Sequence, residues 1–268
     1  MDNSSSFSSI ADANTPNAGR IYDYLLGGNH NFEIDRMAAQ KILSLAPFMP
    51  NLFKLIRWFL GEVVRKLSEE GYTNFIDFAS GLPTVDHIHQ ITPKGTKVIY
   101  SDIDPVVVAY AQEIIKELPD VRYIHCDAAK PEELLESSVV EELFGNNRRV
   151  AIGFNGIAYF LPDESVKHFM ETTYKWAEKG SKLFLCDADA THTPPEKAKR
   201  IMELYKNLNQ PLYPRSRDRM KELIGDWEID EPGFKLLEEW VNIESNVTDY
   251  VQKEWEGQGF YGVLLKKT

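Results

Sequence analysis

Cysteine is nearly absent from the sequence, which contains only Cys126 and Cys186. Two cysteines are too few for a disulfide framework or a paired-cysteine zinc cluster. Because both lie in apolar, strand-like runs, we expect buried free thiols and a reducing, cytoplasmic setting. Motifs such as H-E-x-x-H are also missing, so no metal site is expected.

The sequence also lacks long hydrophobic runs. The longest run without a charged residue, 150–162, covers 13 residues, whereas a bilayer span needs roughly 20 apolar residues. At the N-terminus, Asp2 and Asp12 are present and no basic residue precedes an apolar stretch, which does not fit a secretory signal. We therefore expect no membrane partner and a loose polar tail over residues 1–16.

Positive charge is scarce as well. The 268 residues include 30 Lys and Arg against 41 Asp and Glu, which gives a net charge of −11. An acidic surface repels phosphate backbones, so nucleic acid is not an expected partner. The exception is a basic stripe for which a solvated helix face, with Asp218 and Glu222 as partners, is the favoured interpretation. The stripe consists of Arg215, Arg217, Arg219 and Lys221.

Strand-like runs alternate with helical stretches in the middle of the chain. Runs rich in β-branched and aromatic residues predict strands at 74–78, 97–100, 121–126, 149–154 and 182–186. Apolar spacing and capping residues predict helices at 85–91, 106–118, 132–144 and 164–179, after a long amphipathic helix at 51–70. This alternation predicts a doubly wound α/β fold with a mostly parallel sheet.

The C-terminal part does not continue this alternation of strands and helices. Helices are predicted at 194–209 and 216–224, and strands at 234–240 and 259–266. These two strands would form an antiparallel pair and complete a seven-stranded sheet. No linker divides the chain, so we expect a single domain.

Polar and small residues follow four of the predicted strands. Ligands of an open α/β sheet bind beyond the carboxyl ends of its strands. The first strand ends in Asp77 and a turn of small residues that allows close backbone approach. Asp102 follows the second strand, where a carboxylate can accept hydrogen bonds from ribose hydroxyls. Asp127 follows the third strand and suits an adenine amino group, while Asn155 and Gly156 follow the fourth, where the reactive end of a ligand would lie.

These turns resemble those of the class I, Rossmann-like methyltransferases, which use S-adenosylmethionine. The resemblance covers about residues 51–187 and lies in Asp77-x-Ala79-x-Gly81 and in the stretches 101–105 and 126–128. In that family the first turn wraps the amino-acid part of the cofactor, and the next two acids bind its ribose and adenine. Here the resemblance implies cofactor contacts at Asp77, Ser80, Gly81, Asp102, Ile103, Asp127 and Ala128. The chain departs from the family in having Ala79 and Pro83 where glycines are common.

The N-terminal segment 17–32, NAGRIYDYLLGGNHNF, resembles the signature of a bacterial S-adenosylmethionine methyltransferase family known for its YDYLLGG segment. With ASGLPT and SRDRMKELIGDWEIDEPG further on, this resemblance covers nearly the whole chain. In related methyltransferases a tyrosine of such a segment reaches the methionine carboxylate. The resemblance therefore implies that Tyr22 or Tyr24 and the turn at Gly28 line the cofactor cavity. Ordinary helix packing is the alternative for both tyrosines.

A dinucleotide oxidoreductase is the rival interpretation of the sheet. It needs a G-x-G-x-x-G turn that brings pyrophosphate against a helix N-terminus. The turn 79–84, ASGLPT, lacks this pattern, and its proline removes an N–H donor. S-adenosylmethionine has no phosphate, so the turn favours the methyl donor.

The resemblance implies five parts within the single domain. They are the tail (1–16), an N-terminal helical lid (17–70), a cofactor-binding core (71–190), a substrate-side insertion (191–233) and the C-terminal strands (234–268).

Catalytic residues are less defined than cofactor residues. Methyl transfer is an in-line displacement that depends mainly on positioning, so a strong base is optional. His30 in the lid and His192 after the fifth strand are candidates for a general base, although a surface or satisfied histidine is the favoured interpretation of each. Tyr159 and Asn155 are placed near the methyl group by position alone. The aromatic candidates for an acceptor pocket, several of which must be core residues, are Tyr159, Phe160, Tyr205, Tyr213 and Trp227.

The expected function is methyl transfer from S-adenosylmethionine to a small-molecule nucleophile, such as one of secondary metabolism, by a monomer or homodimer. Two alternatives stay open. One is a non-catalytic S-adenosylmethionine-binding protein, since fold does not imply activity. The other is a methyltransferase acting on RNA or protein, for which the basic stripe is the only support.

Overall fold

A computed structural model describes residues 15–84, 86–189, 191, 194–241 and 259–268 of the chain. The predicted tail, apart from its last two residues, lies outside this part, and so does the candidate base His192.

The five central predicted strands form a parallel sheet. They are β1 (Asn74–Asp77), β2 (Lys97–Asp102), β3 (Val121–His125), β4 (Ala151–Asn155) and β5 (Lys182–Ala188). Their spatial order is β3-β2-β1-β4-β5, and Ile76 of β1 lies between Ile99 and Ile152. Chain order reverses between β1 and β4, so a crevice opens at the carboxyl ends of these two strands.

The predicted antiparallel C-terminal pair is confirmed, but the described residues form a sheet of eight strands rather than seven. β6 (Glu228–Ile229) and β7 (Lys235–Leu236) both pair antiparallel with β8 (Phe260–Lys266), which pairs antiparallel with β5. The predicted strand 234–240 is cut short because a helix begins at Leu237. Glu239 Oε2 accepts a hydrogen bond from the Leu236 N–H at 2.9 Å and so caps that helix.

Three helices form the predicted N-terminal helical region. They are α1 (Ala18–Leu25), α2 (Glu33–Leu45) and α3 (Met49–Glu69). The apolar residues of α3 recur at helical spacing and are buried against the sheet. A Cβ atom at Gly262 of β8 would lie 2.5 Å from Phe59 Cε2, so α3 approaches β8 this closely only because residue 262 is glycine.

The remaining helices cover both faces of the sheet. They are α4 (Ile88–Ile91), α5 (Pro105–Ile115), α6 (Glu132–Leu135), α7 (Ser138–Phe144), α8 (Asp163–Trp176), α9 (Pro195–Asn207), α10 (Arg217–Leu223) and α11 (Leu237–Val241), with a 3₁₀ turn at Ala158–Phe160. The predicted helix at 85–91 is shorter, and the one at 132–144 is divided in two.

Two hydrophobic cores lie on opposite faces of the sheet. Alternate residues of β1 point to opposite sides, so Phe75 packs with the N-terminal helices and Ile76 with α6 to α8. In the second core Phe154 stacks on Phe169, with ring centroids 3.9 Å apart. Both cysteines are buried and free. Within the described residues, no helix combines the length and the apolar character that a membrane crossing requires.

Candidate functional site

A cavity of about 370 Å³ lies at the carboxyl ends of the parallel strands. We call its lining from the turns after β1, β2 and β3 (77–81, 102–103 and 126–128) the strand-end half. We call its lining from 157–161, 198–214 and Phe260 the outer half. Residues of α1 and α3 line the cavity as well. The volume falls within the range of small-molecule sites.

The turn after β1 has an unusual backbone. Ala79 has φ +53° and Gly81 has φ +63°, a region that side chains with a Cβ atom rarely adopt. The turn is held by hydrogen bonds on both sides. The Ser80 N–H donates to Ser101 O at 2.8 Å, and Ser80 Oγ donates to Asp77 O at 2.7 Å. Ala79 thus takes a conformation that suits glycine, which explains why the family commonly has glycine in this turn.

Asp77 ends β1 with a buried carboxyl group. Burial raises its pKa to about 7, and the positive charge of Arg57 partly opposes this rise. Its Oδ1 atom has no hydrogen-bond partner in the described part of the chain. A Cβ atom at Gly153 of β4 would lie only 2.2 Å from that oxygen, so the glycine leaves room for the carboxyl group. Buried polar atoms are usually paired, so this unpaired oxygen is an exception, and it belongs to a residue that lines the cavity.

Asp102 ends β2 and is held by backbone donors. Its Oδ2 accepts from the Gly81 N–H at 3.2 Å, and its Oδ1 accepts from the Asp104 N–H at 2.9 Å. Burial raises its pKa to about 6, so the carboxylate form prevails at neutral pH. The neighbouring Ile103 is 54% exposed and lines the cavity. An acid beside an exposed apolar side chain suits a ligand with a polar and an apolar part.

Polar residues also lie at the ends of β3 and β4. Asp127 Oδ1 accepts from the Ala129 N–H at 2.9 Å, which fixes the turn after β3. Asn155 Oδ1 is buried and has no partner among the residues described. The predicted residues that line the cavity are Tyr22, Asp77, Ser80, Gly81, Asp102, Ile103, Asp127, Ala128, Asn155, Gly156 and Tyr159.

Three residues predicted for the site lie elsewhere. Tyr24 lies two positions from Tyr22 on α1 and therefore on another helix face, where its hydroxyl accepts from the Gln40 side chain at 3.1 Å. Gly28 packs against Asp23, whose Oδ1 would be 2.1 Å from a Cβ atom there. The N–H of His30 donates to Asp23 Oδ2 at 2.9 Å, and its ring packs against Tyr110. The turn after α1 is thus folded around Asp23 and does not face the cavity.

A buried ion cluster ties α1 to the strand-end half. Arg20 Nε donates to Asp35 Oδ2 at 2.8 Å, and Arg20 Nη1 donates to Asp104 Oδ2 at 2.6 Å. Asp35 also accepts from the N–H groups of Asn17 and Phe32. We call Arg20, Asp35 and Asp104 the Arg20 triad. Since Asp104 follows Asp102 by two residues, the triad fixes the turn after β2.

Arg57 of α3 is a lining residue that the sequence interpretation missed. It is the cavity's only lysine or arginine among the described residues. Its guanidinium lies 5.5 Å from the Tyr22 ring centroid and pairs with no described carboxylate. The available signal was its position, because Phe53, Arg57 and Leu60 share one face of an amphipathic helix. A cation on an apolar face indicates a special role.

The outer half was expected as an insertion over the sheet with an aromatic acceptor pocket. Of the aromatic candidates, Tyr159, Phe160 and Tyr205 line the cavity, whereas Tyr213 and Trp227 do not. The described lining of the outer half contains no charged side chain. The α9 residues that line the cavity recur at helical spacing and therefore share one face of the helix. The lining residues of α9 and the following loop are Ala198, Ile201, Met202, Tyr205, Asn209, Gln210, Pro211, Leu212 and Pro214.

One member of the basic stripe is buried, contrary to the expected solvated face. Arg215 is 5% exposed and pairs with Asp163 at 3.0 Å and Asp187 at 3.3 Å. It also donates to the carbonyl oxygens of Ala158 and Leu161, so it fixes the 3₁₀ turn of the outer half. The other three members are exposed and paired, in the combinations Arg217 with Asp189, Arg219 with Asp163 and Glu222, and Lys221 with Asp218.

A family model and two solved structures match nearly the whole chain. A family model described as S-adenosyl methyltransferase matches residues 4–267. A putative methyltransferase from Thermobifida fusca YX is 26% identical, with a TM-score of 0.86 over 97% of this chain and 98% of its own. A DUF574 family protein from Streptomyces avermitilis is 24% identical, with a TM-score of 0.85 over 96% and 99%.

More distant structures share the fold. Magnesium protoporphyrin IX methyltransferase from Synechocystis PCC 6803, solved with bound S-adenosylhomocysteine (SAH), is 12% identical, with a TM-score of 0.54 over 92% of this chain and 93% of its own. The search of curated proteins found no match. No described group of three or more His, Cys, Asp or Glu side chains is placed to hold a metal ion.

Proposed function

Since the chain belongs to the S-adenosyl methyltransferase family, we propose that it transfers the methyl group of S-adenosylmethionine to a small-molecule nucleophile bound in the outer half of the cavity. The observation that carries this proposal is that one cavity joins a polar strand-end half to an uncharged outer half. We also propose that the YDYLLGG segment is a signature of this family and that the protein acts in the cytoplasm.

The strand-end residues fit the cofactor. S-adenosylmethionine carries ribose hydroxyls and an adenine amino group, which are hydrogen-bond donors, and Asp102 and Asp127 offer carboxylate oxygens to them. Asp77 and Asn155 line the cavity, and each has a buried oxygen that pairs with no described residue. Polar atoms of this kind gain a partner from a polar ligand.

Arg57 fits the carboxylate of the cofactor's methionine part. A guanidinium binds a carboxylate through charge-assisted hydrogen bonds. Arg57 acts on Asp77 through its charge, but it forms no close ion pair with a described carboxylate. Tyr22 lies directly beside it. In this proposal the α1 tyrosine and the α3 arginine act together at the methionine end.

When bound, the cofactor supplies a methyl group that its sulfonium already activates. The chain's own residues would hold the acceptor near that group and exclude water. No histidine is present among the described lining residues. Burial keeps the pKa of the Tyr159 phenol well above its usual value, so Tyr159 is a proton donor rather than a base. Positioning therefore carries the proposed catalysis.

An RNA or protein acceptor finds little support. Such a substrate needs an accessible basic or extended surface, whereas the basic stripe is neutralised by acids. The net charge of −11 also disfavours an RNA acceptor, because it repels the phosphate backbone.

The test is transfer of labelled methyl from S-adenosylmethionine into a bacterial extract separated into small-molecule, RNA and protein fractions. We expect label in the small-molecule fraction and far less of it with Asp102→Ala at the same subsaturating cofactor concentration. Calorimetry of the same proteins with SAH, and with NAD as a control, reports cofactor binding separately. Label in RNA or protein alone would contradict the proposed acceptor, and binding of NAD without SAH would contradict the proposed site.

A further inference from the structure

The outer half is built almost entirely from apolar and aromatic side chains. On α9, Ala198, Ile201, Met202 and Tyr205 face the cavity, whereas Lys199 and Glu203 of the same helix are exposed. The charged side chains of this helix that the structure describes thus lie away from the cavity. An ion placed against such a lining would lose its hydration without gaining a partner, which costs several kcal/mol or more.

The polar groups of this lining are two tyrosine hydroxyls and the side-chain amides of Asn209 and Gln210, and Gln210 Oε1 is buried without a partner among the described residues. Tyr159 is 9% exposed and Tyr205 is 6% exposed. Neither hydroxyl forms a hydrogen bond with a residue that the structure describes. Burial raises the pKa of both phenols, so both remain protonated at neutral pH and can donate.

The two tyrosines belong to one aromatic cluster. The Phe160 ring lies between them, with its centroid 4.8 Å from that of Tyr159 and 6.1 Å from that of Tyr205. Phe260 packs edge-on against Tyr159 at 5.3 Å. The hydroxyls are therefore carried by packed rings, and such preorganised donors favour a ligand acceptor atom.

We infer that the methyl acceptor is an uncharged, largely hydrophobic small molecule with an oxygen or nitrogen atom that accepts hydrogen bonds from Tyr159 and Tyr205. This inference rests on the proposed function, because it assigns the acceptor of that reaction. Anionic acceptors would need a cation, and Arg57 lies beside Tyr22 instead. Cationic acceptors would need an acid, and the acids of the described lining belong to the strand-end half.

The test uses four probes that share a naphthalene ring and differ in one substituent: acetonaphthone, methylnaphthalene, naphthoate and naphthylmethylamine. Binding is measured by calorimetry on the full chain saturated with SAH, which confines the probes to the outer half. We expect acetonaphthone to bind most tightly. A neutral hydrogen bond is worth about 1 kcal/mol, so the ketone should exceed methylnaphthalene by about fivefold or more. Both ions should bind more weakly than methylnaphthalene.

Conservative variants locate the effect. Tyr205→Phe and Tyr159→Phe keep the rings, so each should lower the preference for the ketone over methylnaphthalene, and the double variant should abolish it. Tyr213→Phe is the matched control, because Tyr213 is 39% exposed and does not line the cavity. It should leave every affinity unchanged.

The outcomes separate the two proposals. Tighter binding of either ion than of the ketone, binding of none of the probes, or an unchanged ketone preference in the double variant would overturn the inference while SAH binding persists. If SAH itself does not bind, the proposed function fails. The affinities of the same four probes for the free protein then test the chemistry of the outer half by itself.

Discussion

The two halves of the cavity are held in place by similar means but present opposite chemistry. In the strand-end half, Asp102 is fixed by backbone N–H donors. The outer half presents rings and aliphatic side chains on a helix and a loop outside the sheet. Polar groups on rigid strand ends suit a ligand that is always the same, whereas a helix and loop can vary with the acceptor.

Each half is also anchored by a buried arginine. The Arg20 triad fixes the turn after β2, and Arg215 with Asp163 and Asp187 fixes the 3₁₀ turn of the outer half. Although the anchors are alike, they serve different halves. Disrupting each anchor should therefore impair a different ligand.

The largest expected effect is the loss of an anchor. Arg20→Met leaves two buried carboxylates, Asp35 and Asp104, without their cation. Arg215→Met leaves one, Asp187, because Asp163 is 35% exposed and keeps its pair with Arg219. Each should lower the free energy of unfolding by about 3–5 kcal/mol, measured by denaturant titration. Where enough folded protein remains, Arg20→Met should weaken SAH binding more, and Arg215→Met should weaken acetonaphthone binding more.

Arg65→Met is the control for both anchor variants. Arg65 pairs with Glu62 on the exposed surface of α3, so its loss should cost at most about 1 kcal/mol. Equal effects of Arg20→Met and Arg215→Met on both ligands would show that the anchors stabilise the fold without serving separate halves.

Removal of the Asp102 carboxylate should affect one half alone. Asp102→Ala loses two charge-assisted hydrogen bonds to the ribose, worth about 3 kcal/mol together, so SAH affinity should fall about 100-fold. Binding of acetonaphthone to the SAH-free protein should stay within about twofold, since these contacts lie outside the outer half. Asp102→Asn keeps the shape of the side chain, so SAH affinity should fall less than in Asp102→Ala. A parallel loss of both ligands would mean that the halves are not separable.

Gly153 tests how closely the strand-end half is packed. In Gly153→Ala the new Cβ atom would lie 2.2 Å from Asp77 Oδ1 and 2.8 Å from Phe184 Cζ. Overpacking of this kind costs about 1–3 kcal/mol, and the displaced Asp77 should weaken SAH binding. The double variant with Asp77→Ala should recover part of the stability, because one of the two clashes is gone.

Gly61→Ala is the matched control for this substitution. Gly61 lies inside α3, where its nearest contact would be the flexible end of Arg65, and alanine is the better helix former by about 1 kcal/mol. A stable Gly153→Ala protein with normal SAH binding would show that Asp77 moves freely.

The strand-end half could be predicted because its geometry follows from local patterns and one topological rule. Asp77, Asp102, Asp127 and Asn155 each end a strand that composition identifies. Parallel strands bring their carboxyl ends to one edge. Four residues far apart in the chain were therefore placed together without knowledge of any tertiary contact.

The outer half could not be predicted in the same way. Residue type alone made Tyr205 a pocket candidate, but it equally selected Trp227, which does not line the cavity. Tyr205 and Arg57 reach the cavity because α9 and α3 dock over the strand ends, and no local pattern specifies that docking. The N-terminal resemblance identified a segment near the site, but it did not say which face of α1 points inward. Tyr22 lines the cavity, whereas Tyr24 and Gly28 do not.

The smallest expected effect is a pH dependence confined to the strand-end half. Burial raises the pKa of Asp102 to about 6, so its ionised fraction rises from about a tenth at pH 5 to about nine tenths at pH 7. Since the carboxylate is the stronger acceptor, SAH affinity should rise up to about tenfold over this range. Acetonaphthone affinity should stay constant, because the described outer half holds no charged group.

The same shift has an opposite consequence for the fold. Because the folded pKa lies above the ordinary value of 3.8, the folded state binds more protons than the unfolded state between those pH values. The free energy of unfolding therefore falls as pH rises through this window. Asp102→Asn should flatten both curves near pH 6. Burial raises the pKa of Asp77 to about 7, so titration of Asp77 would change SAH affinity at a higher pH. A rise in SAH affinity with pH that persists in Asp102→Asn would therefore be assigned to Asp77 instead.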